Sequence, residues 1–291
     1  MKAVFKVLAA MAALLLMAGV LLAAAGWAMG GRTELNFREF QWEWPPFHVG
    51  SKAAEDRTDY EDGARGLEAL TAVDVDIALG DVVFQVAEDY GVALSWRRGA
   101  TDYALHYEVD DGVLRAWSTG GNRGGLGPES AEGHVTVYLP ADAVLEQVAV
   151  DASLGDVRLD GIQAVRAELT LDLGDLTLDN CKFSEADCTV SLGDLNGTGL
   201  AVAEGLAVRA DLGTVSLAGD LGGQNEIDAD LGDVIFRTSL ENGSFGYDLS
   251  ADLGGISVDG ETCGAQTERA GGEHWLQISA DLGDIEVLFG A

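Results

Sequence analysis

A Leu-Gly phrase set among acidic residues recurs eight times along the chain, and no other feature limits the possible folds as much. It reads Ala-Leu-Gly-Asp at 78 to 81, Ser-Leu-Gly-Asp at 153 to 156, Asp-Leu-Gly-Asp at 172 to 175 and Ser-Leu-Gly-Asp at 191 to 194. It returns as Asp-Leu-Gly-Thr at 211, Asp-Leu-Gly-Asp at 230, Asp-Leu-Gly-Gly at 252 and Asp-Leu-Gly-Asp at 281. From Leu154 to Leu231 the steps are 19, 19, 20 and 19 residues, a period that belongs to stacked repeats and not to a globular enzyme.

Aligned on the Leu, the copies alternate apolar and polar residues. Two residues earlier stand Ile77, Ala152, Leu171, Val190, Ala210, Ala229, Ala251 and Ala280, and four earlier Val75, Val150, Leu169, Cys188, Val208, Ile227, Leu249 and Ile278. Polar residues such as Asp151, Thr170 and Arg209 lie between them, so each segment reads as a strand with one buried and one wet face. The alternation restarts three residues past the Leu, at Val82, Val157, Leu176, Leu195, Val215, Val234, Ile256 and Ile285. One residue is therefore inserted at the Gly, and the pattern predicts corners at Gly80, Gly155, Gly174, Gly193, Gly213, Gly232, Gly254 and Gly283. The Leu reads as the last inward rung before the corner. A second corner is expected seven residues past it, at Gly161, Asn180, Gly199, Gly219 and Gly260.

Strand, corner, strand and second corner build an all-β fold, a single-stranded parallel β-solenoid (β-helix) of about 19-residue coils stacked about 4.8 Å apart. Regular repeats are expected over 141–291. A less regular β part over 67–140 would act as a membrane-proximal cap, with strands at Val92–Trp96, Tyr103–Val109, Val113–Trp117 and Val135–Leu139. The stretch 32–66, with Trp42, Trp44 and Phe47, reads equally as a juxtamembrane stalk or linker and as a strand or turn against the first coil.

Residues 1–31 contain an uncharged apolar run from Val7 to Met29, preceded by Lys2 and Lys6. At about 1.5 Å per residue it spans a hydrocarbon core of roughly 30 Å, so residues 4–29 are expected to form one N-terminal transmembrane helix. The alternative is a cleaved signal peptide using Ala23, Ala24 and Ala25; the length of the run favours the anchor. The lysines put the N-terminus in the cytoplasm and the C-terminal domain outside, in a single-pass cell-membrane protein. With only Met1 to Lys6 ahead of the anchor, cytoplasmic output would require a partner protein. No cysteine near the run could carry a lipid.

The formal net charge is −32, and past Arg32 the chain sets 49 acidic residues against 14 basic ones, a net of −35. Such a surface excludes nucleic acid as a partner and tolerates cations or basic partners, although solubilising charge on a β surface accounts for it more simply. Cys181, Cys188 and Cys263 are too few for a disulfide framework; Cys188 falls in a core slot, and a Cys181–Cys188 bridge is the alternative. His48, His106, His134 and His274 lack metal-ligand spacing, and no Gly-x-Ser-x-Gly, P-loop or CxxC phrase occurs. No catalytic or cofactor-binding residue is assigned, and the protein is read as a non-enzyme.

One column invites a metal. Asp81, Asp156, Asp175, Asp194, Asp233 and Asp284 follow the corner glycines, and stacking would bring their carboxylates about 4.8 Å apart, with repulsion near 1 kcal/mol per pair in water. Asp156, Asp175, Asp194 and Asp233 are therefore calcium candidates. Against calcium stand Thr214 and Gly255, which interrupt the column, and a period unlike the nine-residue calcium β-roll; solvated turn aspartates are the favoured reading. Asn225 takes an inward slot and is expected to bond backbone at a coil end. Asn196-Gly-Thr198 and Asn242-Gly-Ser244 match glycosylation acceptors but also make turns.

The phrase Val135-Thr-Val-Tyr-Leu-Pro140, the repeats after it and the closing Phe245-Gly-Tyr-Asp-Leu-Ser-Ala-Asp-Leu-Gly-Gly-Ile-Ser-Val258 resemble the bacterial putative-adhesin β-strand-repeat family over about 70–289. That family is a domain of unknown function common in Gram-positive bacteria. The resemblance implies a single-pass envelope protein with a β-solenoid ectodomain, some members being linked to envelope-stress responses, and it brings no catalytic residues. The expected function is thus a membrane-anchored, extracytoplasmic, non-enzymatic binding, adhesin-like or structural module whose partner is a cell-wall polymer or another envelope protein. The alternatives are a regulatory ectodomain working through a membrane partner, and, behind it, a calcium-stabilised β-roll or a polysaccharide-active β-helix enzyme. Oligomeric state is left open.

Overall fold

In the computed structural model the described residues are 59–98, 102–120 and 131–291. The apolar run at 4–29 and the aromatic residues Trp42 to Phe47 lie outside them.

Period-two patterning and corner glycines dictate short strands. These are β1 (Asp59–Arg65), β2 (Ala72–Ile77), β3 (Asp81–Ala87), β4 (Gly91–Arg97), β5 (Ala104–Asp110), β6 (Val113–Thr119), β7 (Glu132–Pro140), β8 (Val144–Ala152), β9 (Val157–Asp160), β10 (Gln163–Leu173) and β11 (Leu176–Asp179). They continue as β12 (Lys182–Leu192), β13 (Leu195–Leu212), β14 (Val215–Leu221), β15 (Gln224–Leu231), β16 (Val234–Thr238), β17 (Phe245–Leu253), β18 (Ile256–Val258), β19 (Glu261–Thr262), β20 (Gln266–Arg269), β21 (His274–Leu282) and β22 (Ile285–Phe289). The fold is all-β, and most pairings are parallel. Among the described residues the only helical turn is the 3₁₀ turn Asn242–Ser244.

The pairings form two long parallel ladders. One holds the strands before each Leu-Gly corner and runs β6, β2, β8, β10, β12, the second half of β13, β15, β21, β17. Its register follows the repeat: Leu169 lies opposite Cys188 and Leu171 opposite Val190. The other holds the strands after the corner and runs β7, β3, β9, β11, the first half of β13, β14, β16, β22, β18. A short third side stacks Leu145, Ala164, Phe183, Val202 and Leu221. Inward rows from all three sides make the buried core, including Leu169, Leu171, Leu176 and Leu178. Each such side chain contributes about 1.5–3 kcal/mol through burial, realised only when neighbouring coils cover it.

The spatial order departs from a stack in chain order at both ends. The coil formed by β21 and β22 inserts between that of β15 and β16 and that of β17 and β18, so the last repeat is the penultimate rung. At the opposite end β6 and β7 lie outside β2 and β3, which precede them in sequence. Antiparallel strands then cover the exposed edges. β5 pairs with β6, β4 with β7 and β1 with β4 at one end, and β20 pairs with β17 and β19 with β18 at the other. A parallel ladder left open would template further strands, and these reversals terminate it. Residues 59–65 of the stretch read as stalk or strand thus belong to the sheet.

In seven of its eight copies the recurring leucine does not point inward; the eighth, Leu79, is partly buried against the core. Leu154, Leu173, Leu192, Leu212, Leu231, Leu253 and Leu282 are 40% to 67% exposed, contrary to the expectation of a last buried rung. The chain bulges at this point: in the coil around Gly174, Leu171 is buried, Asp172 and Leu173 both face solvent, and burial resumes at Leu176. Two consecutive outward residues shift the alternation, a step that side-chain polarity hides because the second of them is leucine.

Candidate functional site

The repeated corner is a joint between coils. At Gly174 φ is +145°, outside the range of ordinary L-residues, and a Cβ there would overlap the carbonyl oxygen of Gly155 in the neighbouring coil. Gly193 repeats both features over Gly174, with φ +149°. The corners therefore need glycine for the turn and for the close approach of the next backbone.

The bulge takes one backbone N–H per coil out of the ladder, and the aspartate after the glycine accepts it. Asp156 N donates to Asp81 Oδ1 (3.1 Å), Asp175 N to Asp156 Oδ1 (2.9 Å), Asp194 N to Asp175 Oδ1 (2.8 Å) and Thr214 N to Asp194 Oδ1 (2.8 Å). Past Thr214, Asp284 N donates to Asp233 Oδ1 (2.9 Å) and Gly255 N to Asp284 Oδ1 (2.7 Å). Each carboxylate thus pegs the following coil with a charge-assisted hydrogen bond, which offsets the repulsion along the column. The inserted last coil also explains Gly255. It occupies the outermost rung, where no further coil needs a carboxylate. At the other end Asp81 Oδ2 lies 3.3 Å from His134 Nδ1.

The calcium candidates Asp156, Asp175, Asp194 and Asp233 all belong to this series, each with one oxygen already accepting an amide. Among the described residues no group of three or more His, Cys, Asp and Glu is placed to hold a metal ion.

A second feature lies upstream on the same strands. A groove of about 650 Å³ crosses β10, β12, β13, β15 and β21. Its walls are two in-register rows: Arg166, Glu185, Gly205, Gln224 and Trp275, and Glu168, Asp187, Ala207, Glu226 and Gln277. The dip arises because Gly205 and Ala207 interrupt rows of long side chains. Arg166 is tied to Glu185 at 3.0 Å, which leaves the groove acidic on balance. Beneath it Asn225, 1% exposed, donates through Nδ2 to the carbonyls of Gly222 (3.2 Å) and Trp275 (3.4 Å), while its Oδ1 meets no donor among the described residues. Asn225 bonds backbone as expected, but in mid-stack, between Leu206 and Leu276. Sequence reasoning did not find this groove. The signal available was the run of long side chains five and seven positions before the Leu, from Arg166 and Glu168 to Trp275 and Gln277, broken at the copy carrying Gly205 and Ala207.

Burial, then repulsion from Asp76 and Asp172, raises the carboxyl of Asp151. Burial pushes the Cys181 thiol up to about 11 and the Cys188 thiol up to about 12. Both cysteines are buried and free, and Cys263 is free and half-buried. Tyr103, wholly buried, donates its hydroxyl to the carbonyl of Leu79 and pins the first corner against the cap; burial raises its pKa.

Among solved structures, a "putative cell adhesion protein" from Clostridium sporogenes ATCC 15579 is 13% identical, with 80% of this chain and 100% of that chain covered and a TM-score of 0.33. A "putative adhesin" from Bacteroides fragilis NCTC 9343 is 9% identical, with 80% and 98% covered and a TM-score of 0.42. A "putative lipid binding protein" from Parabacteroides distasonis ATCC 8503 is 11% identical, with 81% and 96% covered and a TM-score of 0.36. Likenesses this distant extend no function to this chain, and none of them indicates an enzyme family. No curated protein matches. Residues 124–288 match the family model described as toastrack DUF4097, and with more than half its length matched the chain belongs to that family.

Proposed function

We propose that this protein is a membrane-anchored, extracytoplasmic β-solenoid that serves as a non-enzymatic binding module of the cell envelope. The observation that carries the reading is the groove across five successive strands, whose walls repeat the same positions from coil to coil. A site with translational repeat suits a linear polymer better than a compact substrate. Trp275 offers a stacking face, and the carboxylates of Glu168, Asp187 and Glu226 accept hydroxyl or ammonium donors. A wall polymer carrying amines or hydroxyls fits this chemistry. Co-sedimentation of the full-length protein in nanodiscs with purified wall fragments tests it. Binding lost in Trp275→Ala and Glu226→Gln, with the melting temperature kept, supports the reading; equal sedimentation of all three proteins contradicts it.

A regulatory role through a membrane partner is the second reading, favoured by the row of exposed leucines, which lies away from the groove. Crosslinking in intact cells separates the two. Recovery of a membrane kinase or transporter favours regulation, and recovery of wall polymer alone favours adhesion.

A further inference from the structure

The seven exposed leucines form one continuous row. Leu173 stands opposite Leu192, Leu192 opposite Leu212, Leu212 opposite Leu231, Leu231 opposite Leu282 and Leu282 opposite Leu253. Leu154 extends the row, since the amide of Gly155 bonds the carbonyl of Leu173 across the same corner. Six steps of about 4.8 Å make a ridge about 29 Å long. Burial does not explain it, because every member is at least 40% exposed. Nor does the corner require leucine, since the residue faces outward and the turn is made by the glycine beside it. Scattered surface leucines are ordinary, but an apolar row repeated over seven coils marks a contact surface.

The flanks say what kind of partner fits. On one side, immediately before the leucines, run Asp172, Asp211, Asp230, Asp281 and Asp252, all exposed, with Ser153 and Ser191 at the other two positions. On the other side runs the pegging column described above, whose members also remain largely open to water. A second copy of this chain would bring like columns together and is disfavoured by a net charge of −32. Anionic lipid headgroups are repelled in the same way.

We infer that the leucine ridge, walled by two aspartate columns, is the docking surface for a basic amphipathic helix of a partner protein, lying along the stack. An α-helix of about 20 residues is about 30 Å long, the length of the ridge. Its apolar stripe repeats every turn of about 5.4 Å, close to the rung spacing, and Lys or Arg on both borders of the stripe would face the two columns. Apolar contact supplies the affinity, and the columns supply orientation and rate. This goes beyond the polymer reading of the groove and does not depend on it.

The test uses the full-length protein in phosphatidylcholine nanodiscs, with empty discs as blank, and a fluorescent 20-residue Leu/Lys helix carrying its leucines on one face. Anisotropy should report saturable binding to the protein-bearing discs that a scrambled peptide of identical composition does not show. The triple variant Leu173→Ser, Leu192→Ser, Leu212→Ser should weaken binding by about thirtyfold or more while leaving the melting temperature within a few degrees, because these side chains are already about half exposed in the free protein and lie outside its core. Replacing Asp172, Asp211 and Asp230 by Asn should weaken binding at low salt and much less at high salt. Equal binding of the scrambled peptide, or of the Leu→Ser variant, overturns the proposal, as does adsorption of the unoccupied ridge to the zwitterionic bilayer itself. Self-association that vanishes in the triple variant would assign the ridge to a second copy and overturn it as well.

Discussion

Gly174→Ala should be among the most damaging single-methyl additions in this protein, and the damage should exceed what its backbone angle alone predicts. At φ +145° an alanine occupies a region reserved for glycine, at a cost of about 1–3 kcal/mol. Its methyl would also meet the carbonyl oxygen of Gly155, a backbone atom held in its own ladder. Relief requires the two coils to separate at the corner. That stretches the bonds from Gly155 N to Leu173 O and from Asp175 N to Asp156 Oδ1, both 2.9 Å, each with a net value of about 1 kcal/mol. Together these give a loss of about 3–5 kcal/mol. Gly260→Ala is the matched control: it too has positive φ (+79°), but its Cβ meets nothing within 4 Å, so about 1–2 kcal/mol is expected. Urea unfolding of the full-length protein in mild detergent, followed by far-ultraviolet circular dichroism, compares the two midpoints. Equal midpoints for Gly174→Ala and Gly260→Ala would refute the close-approach argument and leave only the turn.

Asp151, whose carboxyl is raised by burial and by Asp76 and Asp172, binds its proton more tightly in the folded state than in the unfolded chain, so it costs stability above its folded pKa and the cost fades as pH falls through that value. Asp151→Asn should therefore raise the melting temperature at pH 7 and lose this advantage in acid, as differential scanning calorimetry would show; a constant difference across pH would contradict it. The thiols of Cys181 and Cys188, pushed up to about 11 and about 12, should resist iodoacetamide at pH 8 in the native protein, whereas Cys263 should be labelled first, read by mass spectrometry of the digest. Millimolar calcium should leave the melting temperature unchanged, because each pegging carboxylate already serves an amide of the next coil; a rise of several degrees would place the ion in the column.

The parallel ladders were legible because Leu169 and Leu171, then Leu176 and Leu178, announce two buried strands with a phase change between them. The direction of Leu173 was not. A bulge places two residues on one side, and hydrophobicity argues for the wrong one, since leucine is the residue a reader expects to bury. The pegging role of Asp175 was equally hidden, as it depends on an amide 19 residues away that only the stacked corner exposes. Coil order was hidden for a different reason. The rows Ile278 and Ala280, and Leu249 and Ala251, present nearly the same face to a neighbour, so sequence pattern does not distinguish a last coil at the end from one inserted before it. The antiparallel strands β20 and β19, which need that arrangement to cover β17 and β18, carry no repeat signature of their own. The groove depends on Gly205 and Ala207 as a local loss of bulk, visible only when the outward rows are laid side by side.

The recurring Leu-Gly-Asp phrase is a joint in which glycine admits the neighbouring coil and aspartate ties its free amide. Native-state hydrogen exchange on Asp175→Ala probes this joint. The amide of Asp194, bonded to Asp175 Oδ1 at 2.8 Å, should exchange faster by about fivefold or more, corresponding to about 1 kcal/mol for the lost bond. The amide of Thr214, which Asp194 still holds, should keep its rate. An unchanged rate at Asp194 would contradict the joint and return the aspartates to the role of solvated charge.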